Sequence, residues 1–348
     1  MVPINELIYF RNIIFVLEAN MNKKIYIDGR WGNSGGIGTF SREINKIKKY
    51  ETIKISGNPA SPIDTLKSSI ALFKLKNAVV FFPGYIPPLF SKVPFIITMH
   101  DLNHIDRTEN SSYLKRFFYN TIIKKGCQRA AYIFTVSDFS KERIIKWSGV
   151  SEEKVINVSN GVSEIFTPEG ETVGFDYKYI LCVSNRKKHK NEIGTLIAFS
   201  KARINNEIKL VFTGSSDDFT RKKIIELHLQ DRVIFTGHIS NEELAKLYRS
   251  AEALIFVSFY EGFGLPVIEA QSSGVPVITS CSSSLGEISG GSALLVEPNN
   301  IEQISDGITK ILTDVELSNS LVQRGFDNIK RYSWEETARL VDYYLNKL

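Results

Sequence analysis

Two carboxylates, Glu261 and Glu269, have seven residues between them, beginning with Gly262-Phe263-Gly264-Leu265-Pro266. The run Leu254 to Val257 ahead of them has the length and composition of a buried strand, and Pro266 suits the first helical position, where its missing N–H costs nothing. Strand, glycine loop and helix start form one unit. Its glycines let backbone approach a ligand, and the free N–H groups of the helix start favour an anion. Glu261 lies in the loop and Glu269 just over a turn past the proline, so both can face one bound molecule. Spacing alone favours two surface acids at a helix start, which is what most such pairs are; the glycines, the proline and the strand weigh against that.

Three further groups could do chemistry with them. The strand from Tyr179 to Val183 opens into Ser184-Asn185-Arg186-Lys187-Lys188-His189-Lys190-Asn191, where half of the residues are Arg or Lys. That is ordinary for a surface loop and expected for a diphosphate clamp, Arg offering a planar fork and Lys a point charge. The strand Phe95 to Met99 ends in His100-Asp101, where the histidine either satisfies a local hydrogen bond or turns to a ligand. Ile25-Tyr26-Ile27 runs into a glycine-rich loop over 29–38, with Thr39 leading into a helix, and such strand ends are where open α/β sheets bind ligands. A dinucleotide fingerprint is a poor fit there: Ser41 stands where the third glycine belongs, and no acid ends a clear second strand.

The elements that position these groups alternate short apolar runs with helical ones, which predicts an α/β protein of parallel β-α units. Strands are expected at 24–27, 52–56, 79–82, 95–99, 131–135 and 155–158, and again at 179–183, 209–213, 233–235, 253–257, 275–279 and 293–296. Between the two series, 167–177 loses periodicity and carries Pro168, Gly170 and Gly174, a linker. The expected organisation is an extension over 1–20, domains over 21–166 and 178–331, and a closing amphipathic helix in 332–348. A chain of 348 residues is too long for one ordinary core.

Composition excludes several classes. Three dispersed cysteines argue against a disulfide framework and for a reducing compartment. The apolar stretch in residues 1–20 is interrupted by Arg11 and Asn12, is too short to span a bilayer, and lacks a basic leader and a cleavage site. The net charge of +5 comes without a nucleic-acid motif. Lys46, Lys48 and Lys49 end one expected helix; Lys115, Arg116, Lys124 and Lys125 lie on another among aromatic and aliphatic residues. The latter is either a solvated face above a core stripe or a surface that meets anionic lipid or a polyprenyl-phosphate acceptor.

The E-x7-E element with G-F-G-L-P inside it, followed by Ala270 to Ile278, resembles that of the retaining glycosyltransferases of family 4. The resemblance implies the GT-B architecture, two Rossmann-like domains facing across a cleft, with the terminal helix bracing the first. It implies that Glu269 holds the donor ribose and that Glu261 holds donor sugar hydroxyls and steadies the oxocarbenium-like state. Gly262, Phe263, Gly264 and Leu265 would line the donor, and Lys190 and Arg186 would take its diphosphate. His189 stands where many members have Arg and is left out of the clamp. The H-D element would bring His100 to the sugar from the facing domain, and Gly36 and Gly38 would line the acceptor side near the donor phosphate. The loops at Phe212-Thr213-Gly214 and Phe235 to Ile239 would flank the base.

No metal or other cofactor is implied. S-G-G-I-G and N-R-K-x-H-K-N further resemble bacterial mannosyltransferases of O-antigen or capsule assembly. Mannose from GDP-mannose is thus the favoured donor, ahead of UDP-hexoses and dTDP-rhamnose. The acceptor would be a glycan or polyprenyl-diphosphate-linked glycan, and the setting the cytoplasm with peripheral contact at the inner membrane. A nucleotide-sugar 2-epimerase and a non-catalytic nucleotide-sugar binder are the alternatives on this architecture.

Overall fold

A computed structural model describes residues 23–348 apart from Ser34, Thr108 and Asn110; the expected extension over 1–20 lies outside the described residues. Among the described residues twelve strands form two six-stranded sheets, every pairing within them parallel. The first sheet takes β1 (Lys24–Ile27), β2 (Glu51–Thr52), β3 (Ala78–Phe82), β4 (Phe95–Thr98), β5 (Tyr132–Thr135) and β6 (Val155–Asn157) in the order 2-1-3-4-5-6. The second takes β7 (Tyr179–Cys182), β8 (Lys209–Phe212), β9 (Val233–Phe235), β10 (Ala253–Phe256), β11 (Val277–Ser280) and β12 (Leu294–Val296) in the order 12-11-10-7-8-9. Helices cover both faces, which is why β3, β4, β7, β10 and β11 are buried along their whole length.

Strand order decides where a ligand fits. Connections from the middle of each sheet run in opposite directions at β1/β3 and at β7/β10, and the crevice beyond the carboxyl ends of such a pair is the binding position of open α/β sheets. The helices that bear on it are α1 (Gly35–Lys48), α2 (Asp64–Phe73), α3 (Tyr113–Phe118), α4 (Asp138–Ser148), α5 (Asn241–Ser250), α6 (Leu265–Ser272), α7 (Leu285–Ser289) and α8 (Trp334–Asn346).

Two expectations need correction. The strand at 52–56 pairs only over Glu51–Thr52. Beyond Thr52, Ile53 N still donates to Ile27 O, and Ile53 and Ile55 pack on the core. With no neighbour on its outer side among the described residues and Gly57 ahead, this edge segment then leaves the sheet. The glycine-rich stretch is not a loop up to Thr39: a 3-10 turn, Gly29–Asn33, leads to α1, which begins at Gly35. Gly36 and Gly38 therefore lie in the first helical turn. A Cβ on Gly38 would sit 2.6 Å from Gly32 O, so the helix start packs directly on turn backbone, whereas Gly36 is exposed with open space around it.

The chain ends by crossing back to the first sheet. Trp334, Val341 and Leu345 of α8 join Ile27, Phe40 and Ile44 in one core, and Asp342 accepts from Tyr50 OH at 2.8 Å and from Lys48 at 3.1 Å. Gly161 allows this crossing, because a Cβ there would lie 2.2 Å from Trp334 N. The connecting segment leans the other way: Phe166 is buried among Tyr179, Tyr248 and Phe256.

Candidate functional site

The acidic and cationic constellations meet on either side of the β7/β10 crossing. β10 ends at Phe256, and Gly264, at φ +109, turns the chain into α6 with Pro266 in its first turn. The loop after β7 is fastened to that turn from within the same domain. Asn191, itself at φ +56, donates through Nδ2 to Val257 O at 3.1 Å and Pro298 O at 2.7 Å, and Phe259 N donates to His189 O at 2.8 Å. These bonds fix the approach of Lys190, whose Nζ lies 2.7 Å from Glu261 Oε1. Both side chains are largely buried, 16% and 12% exposed, so the ammonium and the carboxylate compensate one another where water cannot. Glu261 N donates to Ser283 Oγ at 3.0 Å, and Ser284 Oγ lies 3.0 Å from Glu261 O and 2.9 Å from Phe263 O. The loop is thus held from below by two serines.

Glu269 sits one helical turn into α6 and meets Tyr248 of α5, whose OH donates to it at 2.9 Å. Burial pushes its carboxyl from 4.5 up to about 7, with the Tyr248 bond working against the rise. Tyr248 itself is fully buried, and burial beside Glu269 drives its phenol far up, so it stays a donor.

Arg186 takes a different place from Lys190. At φ +61 its guanidinium turns back over Phe212 and Phe235, and Nη2 donates to Ser184 O and Thr213 O. Nε lies 3.2 Å from Glu192, and the buried Nη1 finds no hydrogen-bond partner among the described residues. Its Nη2 is held by strand ends and its Nε faces Glu192, while Nη1 keeps an unused donor. The side chains of Phe263 and Leu265 likewise point away from a donor: Phe263 is buried among Phe134, Val136 and Tyr332, and Leu265 packs against the same group. Only their backbone is available to a ligand.

The opposite wall is His100, at the end of β4. Its Nε2 lies 2.8 Å from Pro83 O. A carbonyl can only accept, so the proton is on Nε2 and Nδ1 is left as an acceptor. Burial pushes the imidazole down to about 4, the Pro83 bond opposing, and the ring is neutral at ordinary pH. Phe40 of α1 meets it edge-on at 5.1 Å, which ties its orientation to the helix carrying Gly36 and Gly38. Asp101 accepts from Asn103 N at 2.9 Å, a local turn; burial raises its carboxyl, and the facing charge of Glu261 adds to the rise.

The two walls touch at Gly262. A Cβ there would lie 2.2 Å from His100 O, and Ser137 Oγ donates to Gly262 O at 2.7 Å while accepting from Ser140 N as the N-cap of α4. Glu287 of α7 reaches across to the same helix start, accepting from Asp138 N at 2.8 Å and Phe139 N at 3.0 Å, where a carboxylate also suits the helix dipole. Tyr260 OH donates to Asp106 at 2.8 Å, and Asp106 holds Arg143 of α4. Nothing in the sequence singles out Glu287, Tyr260, Tyr248 or Ser283. Arg30 is a further surprise: it forks between buried Asp28 and Asp64 at 2.6 to 2.8 Å, anchoring the turn before α1 to α2.

Residues 168–327 match the family described as "Glycosyl transferases group 1", and residues 40–164 match "Glycosyltransferase Family 4". An O-antigen chain mannosyltransferase B of Escherichia coli is 27% identical over 290 residues, 79% of this chain and 76% of its own. The O-antigen chain mannosyltransferase RfbU of Salmonella typhimurium is 30% identical over 248 residues, 68% and 67% of the two chains. Among solved structures, a sucrose-phosphate synthase of Thermosynechococcus elongatus superposes with a TM-score of 0.78 at 18% identity, covering 94% of this chain and 99% of that one. HepE of Anabaena, solved in complex with UDP and glucose, gives 0.75 at 15% identity over 94% and 100%. At such identities these two speak for the fold, which is the GT-B architecture.

Proposed function

We propose, from the premise that this chain belongs to the glycosyltransferases of group 1 and family 4, that it moves a hexose from a nucleoside diphosphate sugar to a glycan, with retention. Mannose carried by GDP is the favoured donor. The relatives whose names specify mannosyl transfer to O-antigen chains support that choice and point to a glycan, or a polyprenyl-diphosphate-linked glycan, of a surface polysaccharide as acceptor. Such an acceptor would keep the enzyme in the cytoplasm beside the inner membrane.

The observation that carries the reading is the Lys190–Glu261 contact at 2.7 Å, set where the first domain closes on the loop through Gly262. In departure of the nucleoside diphosphate, negative charge builds on the leaving phosphate and positive charge at the anomeric carbon. A diphosphate arriving at Lys190 competes with Glu261 for the ammonium. That frees the carboxylate for sugar hydroxyls and for the developing oxocarbenium charge. The N–H groups at the start of α6 and of α1 add to the phosphate side without a metal ion. Glu269 would accept from the ribose hydroxyls, and neutral His100 would meet the sugar from the facing wall. Arg186 would reach a phosphate only by exchanging its contacts with Ser184 O and Thr213 O.

Purified protein given labelled GDP-mannose, UDP-glucose or dTDP-rhamnose with a lipid-linked glycan extract tests this. The expected result is transfer from GDP-mannose, abolished in Glu261→Ala with folding and nucleotide binding retained. Epimerised donor without transfer, or binding without product from any donor, overturns it.

A further inference from the structure

Exposed apolar residues concentrate on one flank of the first domain. Ile63, Leu66, Ile70 and Phe73 recur at i, i+3, i+7 and i+10 along α2 and its N-cap, a single helix stripe, and are 46% to 66% exposed. The opposite side of α2 carries Asp64, Thr65, Ser68, Ser69 and Leu72, all buried. The helix thus turns its apolar stripe to solvent and its small polar residues inward, the reverse of an ordinary surface helix.

The patch extends through the loop after β3. Phe90, 48% exposed, is fixed to α2 by its N–H to Ser69 Oγ at 3.1 Å, and Leu89 N donates to Thr65 O at 3.2 Å. On its other side that loop packs on the helix following α3: a Cβ on Gly126 would lie 2.1 Å from Pro87, and Arg129 donates to Pro88 O at 2.9 Å. α3 itself exposes Tyr113, Leu114 and Phe117. Eight of the fifteen large apolar side chains exposed among the described residues belong to this flank, so it is not scatter.

Its charge is one-sided. Residues 63–76, 88–92 and 113–125 contain eight Lys and Arg and a single acid, Asp64, which is buried in the ion pair with Arg30. Lys92 places Nζ 4.0 Å over the Phe73 ring, and Lys67 and Lys74 edge the α2 stripe. A second copy docking by the same face would set cations against cations, so self-association does not match it. An anionic bilayer does. The apolar stripe enters the headgroup boundary while the lysines reach lipid phosphates.

We propose that this flank, α2 with Phe90 and α3, is a docking surface for an anionic membrane. It deepens the lipid-linked acceptor reading, on which its biological sense rests, because the surface belongs to the first domain, the one that reading assigns to the acceptor, with Phe90 in the connection after β3 and α3 in the connection after β4. The test uses neither donor nor acceptor. The purified full chain is sedimented with phosphatidylcholine vesicles and with phosphatidylcholine–phosphatidylglycerol vesicles, and compared with Leu66→Ser/Ile70→Ser/Phe73→Ser and with Lys67→Glu/Lys74→Glu. All substituted positions are exposed, and equal melting temperatures establish that the variants are folded. The expected result is binding to the anionic vesicles alone, weakened at least about tenfold in the apolar variant as three side chains lose their transfer from water. The charge variant loses about tenfold at low salt and less at high salt. No binding to anionic vesicles overturns the proposal, as does equal binding of parent and apolar variant. Binding that vanishes only on removing residues 1–20, or a dimer broken by the apolar substitutions without vesicle binding, also overturns it. Failed transfer with intact vesicle binding would refute the functional reading and leave the surface standing.

Discussion

Glu269 makes stability depend on pH and, if it holds the donor ribose as proposed, donor affinity depend on pH in the opposite direction. Its carboxyl rises from 4.5 to about 7 because burial disfavours the charged form more than the Tyr248 hydroxyl supports it. Between those values the native protein keeps a proton that the unfolded chain has released, so stability falls as pH climbs through the window and levels off above about pH 7. At about 1.4 kcal/mol per pKa unit, the full rise costs the native state up to about 3 kcal/mol on the alkaline side. Glu269→Gln keeps the shape and still accepts from Tyr248 OH. In urea unfolding it should match the parent at about pH 4.5 and exceed it by up to about 3 kcal/mol at about pH 8. Donor affinity runs the other way if the ionised carboxylate accepts from the ribose: calorimetric affinity of the parent tightens as pH rises through about 7, and the variant stays weak and flat. Tyr248→Phe, which removes the opposing bond, moves the parent's midpoint upward. A parent whose stability does not change between about pH 5 and 8, or a glutamine variant less stable than the parent at the alkaline end, would refute the burial argument.

The Lys190–Glu261 pair predicts non-additive stabilities. Removing either partner leaves the other charge mostly buried and costs about 3 kcal/mol, whereas Lys190→Ala/Glu261→Ala costs less than the sum of the singles. Thermal and urea unfolding measure this, and strictly additive losses would mean that the pair does not exist in solution. Gly262→Ala tests the contact between the walls: its Cβ would meet His100 O at 2.2 Å, backbone that cannot step aside as a side chain does. Overpacking of about 1–3 kcal/mol is expected to part the walls and loosen the Ser137–Gly262 bond. On the proposed reading, nucleotide affinity, carried mainly by Lys190 and Glu269 of the second domain, should fall far less than transfer, which drops at least about tenfold; unchanged turnover would show that the contact there is not needed.

How far the sequence discloses this molecule follows from the range of each interaction. Strands of a parallel sheet are buried on both faces and read as apolar runs, so β3, β4, β7, β10 and β11 are legible with ends displaced by one residue or, at the start of β11, two. The edge segment after Thr52 fails the same reading, since alternation persists in Ile53 and Ile55 after the ladder has ended. Glycine is ambiguous in another way: Gly36 and Gly38 read as loop residues, yet Gly38 is there to let a helix start lie on turn backbone. Arg186 shows the limit for side chains, because its type and place beside Lys190 do not disclose that Nη2 turns back to Ser184 O and Thr213 O and that Nη1 is buried without a partner among the described residues.

Contacts between the sheets are harder still. Strand patterns announce β7 and β10 but not that they are neighbours, and it is their adjacency that brings residue 190 to residue 261. The contacts of Glu287 with α4 and of Tyr260 with Asp106 require the placement of one domain on the other, which no local periodicity encodes. Gly262 is the exception. A ligand-binding loop asks for glycine so that backbone can approach the ligand, and the same absence of Cβ is what allows His100 O to approach from behind. The Glu261–Leu265 loop therefore has two faces. One presents the carboxylate and helix start, and the other carries the domain contact through Gly262 O and the buried Phe263. The contact between the domains and the placement of Glu261 therefore rest on the same five residues.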